Sequence, residues 1–99
     1  MPKRLPEFKL IAVPVTEEAA QMAGFKYAAP DIGTRHKIGG SPDFLQSGSI
    51  PRCGSCNTEM SFYAQLDSIG DELVIADCGM IYVFCCFWCF DVKAFVDSC

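Results

Sequence analysis

The sequence predicts an α+β fold dominated by β structure: an antiparallel meander sheet with one short N-terminal helix and a cysteine knuckle. Three observations predict it. Strand-like segments separated by turns fill the second half of the chain, a helix-start signal lies near residue 16, and two C-x-x-C motifs occur in the second half. The 99 residues suit one domain, so residues 1–99 are predicted to form a single module.

The first half of the chain predicts short elements joined by turns. Residues 8–15 (FKLIAVPV) predict a strand, and Pro14, which lacks a backbone donor, suits its end. Thr16 is a candidate N-cap, followed by two glutamates that favour the first turn of a helix ending at Gly24. Residues 29–44 are rich in Gly, Pro, Ser and Asp and predict loops with a short strand at residues 36–38.

The second half predicts consecutive strands. Between residues 60 and 67, Met60, Phe62, Ala64 and Leu66 alternate with polar or aromatic residues, which is typical of a half-buried strand. Residues 73–76, 80–88 and 92–96 predict three further strands, with turns between them at residues 68–72 and 77–79. Strands joined by such short turns form an antiparallel meander.

The charge of the chain argues against nucleic acid as a partner. The net charge is −4, whereas nucleic-acid binders carry a basic surface. The acidic groups are unevenly placed, because residues 53–99 contain seven acidic side chains and one basic side chain, Lys93. Either this is ordinary solvated surface, or it is an acidic face that favours a basic partner protein.

The sequence also predicts a cytoplasmic protein without a membrane segment. No apolar run reaches the ~20 residues that span a bilayer, and the N-terminus lacks an apolar stretch of secretory length. Seven cysteines cannot all pair within one chain. Where thiols stay reduced, closely spaced cysteines indicate metal or redox chemistry more often than structural disulfides.

Two C-x-x-C motifs predict a metal site. Cys53 and Cys56 lie in CGSC, and Cys86 and Cys89 lie in CFWC. Two such pairs in a small chain fit a tetrahedral four-cysteine zinc knuckle. Cys85 is the alternative to Cys86, since adjacent residues on a strand point to opposite faces. Two other interpretations stay open: a redox motif at Cys53 and Cys56, and buried thiols that hold no metal.

No catalytic residues are predicted, and the chain is not expected to be an enzyme. His36, the only histidine, is interpreted as a solvated or hydrogen-bonded loop residue, and Asp67, like the other carboxylates nearby, as a solvated turn residue. A Cys/His pair is conceivable, but no neighbouring sequence feature supports it. Cys78 and Cys99 are interpreted as non-ligands.

Three blocks of the chain resemble, in order, the YwqG-like family, which extends to the programmed cell death protein 2 group. They are HKIGGSPDFLQ, CGSCNTEMSFYAQLDS and DCGMIYVFCC, within residues 36–89. Phe44 stands where bacterial members usually have Trp, and this chain is shorter than those members. The resemblance implies a β-rich, non-enzymatic protein-binding fold. Eukaryotic members act as chaperones for a basic ribosomal protein, and some bacterial relatives occur near toxin–immunity loci.

Three functions compete at this point. The first is a zinc-stabilised module that binds a basic protein as a chaperone, adaptor or immunity-like factor. The second is a thiol-redox protein that uses Cys53 and Cys56. The third is a small structural domain that forms homo-oligomers through the apolar segment FCCFWCF, residues 84–90.

Overall fold

The computed structural model describes residues 3–22, 33–44, 49–70 and 79–97. Within them lies a five-stranded antiparallel sheet whose strands are neighbours in chain order. The strands are β1 Phe8–Lys9, β2 Lys37–Ile38, β3 Ser61–Asp67, β4 Met80–Cys85 and β5 Val92–Asp97, and the helix is α1 Glu17–Met22. The predicted β-dominated meander with one short helix is therefore confirmed.

The N-terminal elements confirm the helix start and shorten the first strand. Thr16 caps α1, because its Oγ1 accepts a hydrogen bond from Ala19 N at 3.1 Å. The predicted helix end at Gly24 lies outside the described residues. The strand predicted at residues 8–15 is limited to β1, since its partner β2 begins only at Lys37, and beyond Lys9 the pairing continues with the hydrogen bond from Leu10 N to His36 O at 3.1 Å.

The predicted alternation in β3 holds only as far as a β-bulge. Phe62 pairs with Phe84, but Ala64 pairs with Val83, so Tyr63 is an extra residue in this strand. One added residue reverses the side-chain direction of everything that follows. The prediction that Ala64 and Leu66 share the face of Phe62 is therefore wrong: both lie on the opposite face, where Leu66 is exposed, and the polar residues on either side of Leu66 turn inward.

One face of the sheet carries the core. Met80, Tyr82 and Phe84 of β4 are completely buried there, with Met60 and Phe62 packed against them. Phe44 covers them, with its ring centroid 5.0 Å from that of Tyr82, and Phe95 stacks on Phe84 at 5.6 Å. Cys53 and Cys86 belong to the same buried cluster, which places the first cysteine of each motif at one end of the core.

The opposite face, named here the open face, is apolar and carries no charged side chain along its paired strand positions. One row crosses all five strands, and two shorter rows flank it. The residues are Phe8, Ile38, Ala64, Val83 and Ala94 in the long row, then Leu66, Ile81 and Val96, and then Ser61, Cys85 and Val92. Phe8, Leu66, Val92 and Val96 are exposed to solvent.

No helix in the described part of the chain is long and apolar enough to cross a membrane. The predicted strand at residues 73–76 lies outside the described residues.

Candidate metal centre

The first C-x-x-C motif forms a tight hairpin knuckle. Asn57 N donates to Cys53 O, and Cys53 N donates to Thr58 O, both at 2.9 Å. Asn57 has φ of 57°, a left-handed conformation that asparagine tolerates better than most residues. Arg52 and Glu59 pair across the base of the turn. The knuckle therefore precedes β3 and is closed by its own backbone hydrogen bonds.

The second motif repeats this geometry at the turn between β4 and β5. Phe90 N donates to Cys86 O at 2.7 Å, and Cys86 N donates to Asp91 O at 2.9 Å. Phe90, at the position equivalent to Asn57, has φ of 59°. Cys85 and Val92 pair across its base. The bulky residues of CFWC are compatible with a knuckle because Trp88, the second of them, is exposed to solvent.

The two knuckles bring four sulfur atoms together. The Sγ atoms of Cys53, Cys56, Cys86 and Cys89 all lie within 4.8 Å of one another, and those of Cys56 and Cys86 are 3.7 Å apart. A tetrahedral zinc ion with Zn–S bonds of about 2.3 Å separates its sulfur ligands by about 3.8 Å. The cluster thus has nearly the dimensions of a four-sulfur metal site.

The four predicted cysteines are the ones that meet, and Cys85 is not among them. Its Sγ lies 3.7 Å from the carbonyl of Cys86, and Cys85 belongs to the open face. Cys86 follows the last residue of β4 and is 2% exposed, within the core cluster. Cys78 and Cys99 lie outside the described residues.

The thiols influence each other's ionisation strongly. Hydrogen bonds from the side chain and the backbone of Thr58 lower the pKa of Cys56 to about 6. Hydrogen bonding with Cys56, together with burial and the nearby Cys53, raises the pKa of Cys89 to about 12. Four sulfur atoms this close cannot all be thiolates unless a cation lies among them. The electrostatics therefore favour either shared protons or a bound metal.

A carboxylate joins the two knuckles. Asp91 Oδ2 accepts a hydrogen bond from Ser55 Oγ at 2.9 Å and lies 3.4 Å from Cys53 Sγ. Basic groups brace the same region: Arg52 Nη1 donates to Asn57 O, and Lys93 Nζ donates to Arg52 O. The sequence analysis missed Asp91, because its partner Ser55 is 36 residues away and no local signal links them.

A second polar cluster corrects the interpretation of Asp67 and decides between the two alternatives for His36. Asp67 is buried, not solvated, and forms a two-point ion pair with Arg35 through bonds of 2.7 and 2.8 Å. Gly33 N donates to the same carboxylate at 2.7 Å. His36 is the hydrogen-bonded residue of the two alternatives: it is buried, and its Nδ1 accepts a hydrogen bond from Asp67 N at 2.9 Å. This cluster fastens the loop before β2 to the end of β3.

The fold and the site together define a class: a small β-meander module with a candidate four-cysteine metal centre at one end of its sheet. No protein-family model matches the chain, and no curated protein or solved structure matches it either. The resemblance to the YwqG-like family stays a prediction.

Proposed function

We propose that this chain is a non-catalytic, zinc-stabilised module that binds another protein, with Cys53, Cys56, Cys86 and Cys89 as the ligands of one zinc ion. The observation that carries the proposal is the pair of matching knuckles, whose four sulfur atoms lie within 4.8 Å of one another. Four thiolates in tetrahedral array favour zinc or iron. A site closed by four protein ligands is structural, because catalytic zinc keeps a position open for water or substrate.

The position of the site explains what the metal would do. Cys53 and Cys86 are part of the core cluster, and the other two cysteines are exposed at its end. A chain of this size buries a modest core, and a structural metal adds stability that such a core lacks. Because the unfolded chain has no preformed site, the free energy of zinc binding contributes directly to folding.

Protein binding is supported by the surface and by the sequence. The open face exposes apolar side chains from β1, β3 and β5 without a charged neighbour in its rows, and apolar surface of this kind is typical of interaction sites. The excess of acidic residues after residue 52 favours a basic partner. The resemblance to a family that includes chaperones of a basic client points in the same direction.

Metal analysis tests the zinc site. The purified chain is expected to carry one equivalent of zinc, measured by elemental analysis together with a free-thiol count. Cys86→Ser should lose most of the metal, whereas Cys85→Ser, one position away at the end of β4, should retain it. A folded wild-type chain with neither metal nor disulfide would refute the proposal. A reversible disulfide between Cys53 and Cys56 in a metal-free, folded chain would support the redox alternative instead.

Partner capture tests the binding role separately. Cross-linking in a cell extract is expected to recover a basic protein, and the double reversal Asp71→Lys and Glu72→Lys should reduce that recovery while leaving the zinc content unchanged. A second variant, Leu66→Glu, places a charge on the open face and should reduce it as well. Recovery of the same protein at unchanged yield by both variants would contradict the proposed binding mode.

A further inference from the structure

We propose that β5 is the interface of a homodimer, in which the β5 strands of two copies pair antiparallel about a two-fold axis at Phe95. This inference is independent of the proposed zinc site and binding role. It rests on the exposed edge of the sheet, on the direction of its backbone groups, and on the order of charges along one strand.

The edge formed by β5 is long and accessible. β5 has six residues and, within the described part of the chain, β4 as its only sheet neighbour, whereas the opposite edge, β1, has two residues. Four of the six residues of β5 are exposed and two are half-buried. A long edge strand presents unpaired N–H and C=O groups that can pair with another strand.

The hydrogen-bond pattern shows which groups point outward. Cys86 N donates to Asp91 O at the end of the hairpin, and antiparallel pairs alternate between bonded and non-bonded. The Cys85–Val92 pair and the Val83–Ala94 pair are therefore non-bonded pairs. It follows that the backbone groups of Val92, Ala94 and Val96 point away from β4, toward a strand that would extend the sheet.

The sequence of β5 is complementary to itself in one register. With the two-fold axis at Phe95, Lys93 faces Asp97 of the second copy, Ala94 faces Val96, and the two Phe95 side chains meet. Ala94 and Val96, whose backbone groups point away from β4, then form the hydrogen-bonded pairs between the two β5 strands. A register centred on Ala94 would place Lys93 opposite Phe95, one centred on Val96 would place Asp97 opposite Phe95, and one centred on Lys93 would oppose two like charges.

The packing behind the strand fits this register. Phe95 is half-buried and stacks on Phe84, with ring centroids 5.6 Å apart and planes 12° from parallel. A second Phe95 at the axis would continue this aromatic stack from the core of one copy to that of the other. On the other side of the sheet, Ala94 and Val96 belong to the open face, so pairing would join two open faces into one ten-stranded apolar surface.

The order of charges along β5 can be tested by sedimentation velocity on the full chain as purified, over a wide concentration series. Wild type is expected to dimerise. Lys93→Asp alone creates two Asp–Asp pairs per dimer, Asp97→Lys alone creates two Lys–Lys pairs, and each is expected to weaken the dimer about tenfold or more. An equimolar mixture of the two variants restores opposite charges at both positions and should regain wild-type association as a heterodimer.

Two controls separate this mechanism from general effects. Glu18→Lys changes the net charge as Asp97→Lys does, but at an exposed site on α1, and should leave the association constant unchanged. Ala94→Pro removes an outward N–H at an edge position where proline is tolerated, and should abolish dimerisation while preserving the circular dichroism spectrum. A wild-type chain that stays monomeric at every concentration, or a variant mixture that associates no better than its components, would overturn the proposal.

Discussion

Replacement of the buried Asp67 by asparagine should destabilise the fold strongly, although it changes a single atom. The carboxylate accepts hydrogen bonds from the Arg35 side chain at both oxygens, from the backbone N–H groups of Gly33 and Arg35, and from Ser68 N. In Asp67→Asn, an NH₂ group replaces one acceptor oxygen. If the remaining oxygen takes the Oδ2 position, the new NH₂ group lies where Oδ1 was. The hydrogen bonds from Arg35 Nη2 and Ser68 N are then lost, and these two donors face the NH₂ group, which is itself a donor.

The magnitude follows from those lost bonds. At roughly 1.5–3 kcal/mol for each hydrogen bond to a charged group, two lost bonds cost about 3–6 kcal/mol. Removing one partner of a buried ion pair costs about the same, and the Asp67 side chain has no solvent exposure. Against a total stability of about 5–15 kcal/mol for a domain, this is a large fraction. Urea denaturation followed by circular dichroism at neutral pH measures it directly.

The matched control is Asp43→Asn. Asp43 also forms an ion pair, with Lys37 at 3.0 Å, but its side chain is 62% exposed, and Glu7 shares the same lysine. An exposed pair contributes about 0–1 kcal/mol, so this variant should lose less than about 1 kcal/mol. If both variants were equally stable, the assignment of Asp67 as a structural anchor would be incorrect.

The pH dependence of the free energy of unfolding gives a second measurement on the same variants. Burial alone would raise the pKa of Asp67, but hydrogen bonds from Arg35 and from the Gly33 backbone outweigh it and hold the pKa below its usual value of 3.8. A carboxylate whose pKa is lowered in the folded protein stabilises the fold at pH values above its pKa in the unfolded chain. This stabilisation is lost as the pH falls through the pKa of the folded state. The stability difference between wild type and Asp67→Asn should therefore shrink in acid.

Three further predictions concern backbone conformation and the metal. Gly39→Ala should lower stability by at least about 2 kcal/mol, because φ is 75° and an added Cβ would overlap the Pro6 carbonyl. The control is Gly54→Ala, whose Cβ would meet open space, and it should change stability by less than about 0.5 kcal/mol in the same urea assay. Phe90→Gly should raise the thermal midpoint by relieving about 1–2 kcal/mol of left-handed strain in an exposed residue, and an unchanged or lower midpoint would contradict this. Chelation of the proposed zinc ion under reducing conditions should lower the free energy of unfolding by several kcal/mol, which calorimetry before and after zinc is restored would reveal.

Local sequence signals were sufficient to predict those features that are stabilised by contacts between residues close in sequence. The N-cap at Thr16 depends on one hydroxyl and the helix N–H groups three residues away, so the sequence predicts it correctly. The pairing of β4 with β5 follows from the short turn at residues 86–91, whereas the longer segments at residues 10–36 and 39–60 separate β1, β2 and β3. The two C-x-x-C motifs likewise predict two knuckles, since each knuckle is closed by backbone hydrogen bonds within six residues.

The same reasoning failed in β3, where the outcome depended on a neighbour distant in sequence. No local signal shows that Tyr63 is an extra residue, because a bulge exists only relative to the register of β4. After the bulge, Gln65 and Asp67 face the core and Leu66 faces solvent, which reverses the simple alternation. The buried pair of Asp67 with Arg35, 32 residues apart, is a consequence of that reversal.

The sequence by itself determined the capped start of the helix and the two cysteine knuckles, each governed by contacts within a few residues, and it indicated which segments form strands. Only the tertiary structure decided that Cys86, rather than Cys85, meets Cys53 and Cys56, because the end of β4 fixes which of two adjacent side chains turns toward the first knuckle. It also decided which face of the sheet is covered and which is open. Both depend on the register between strands, and register is set by pairing across the sheet and not by any one segment.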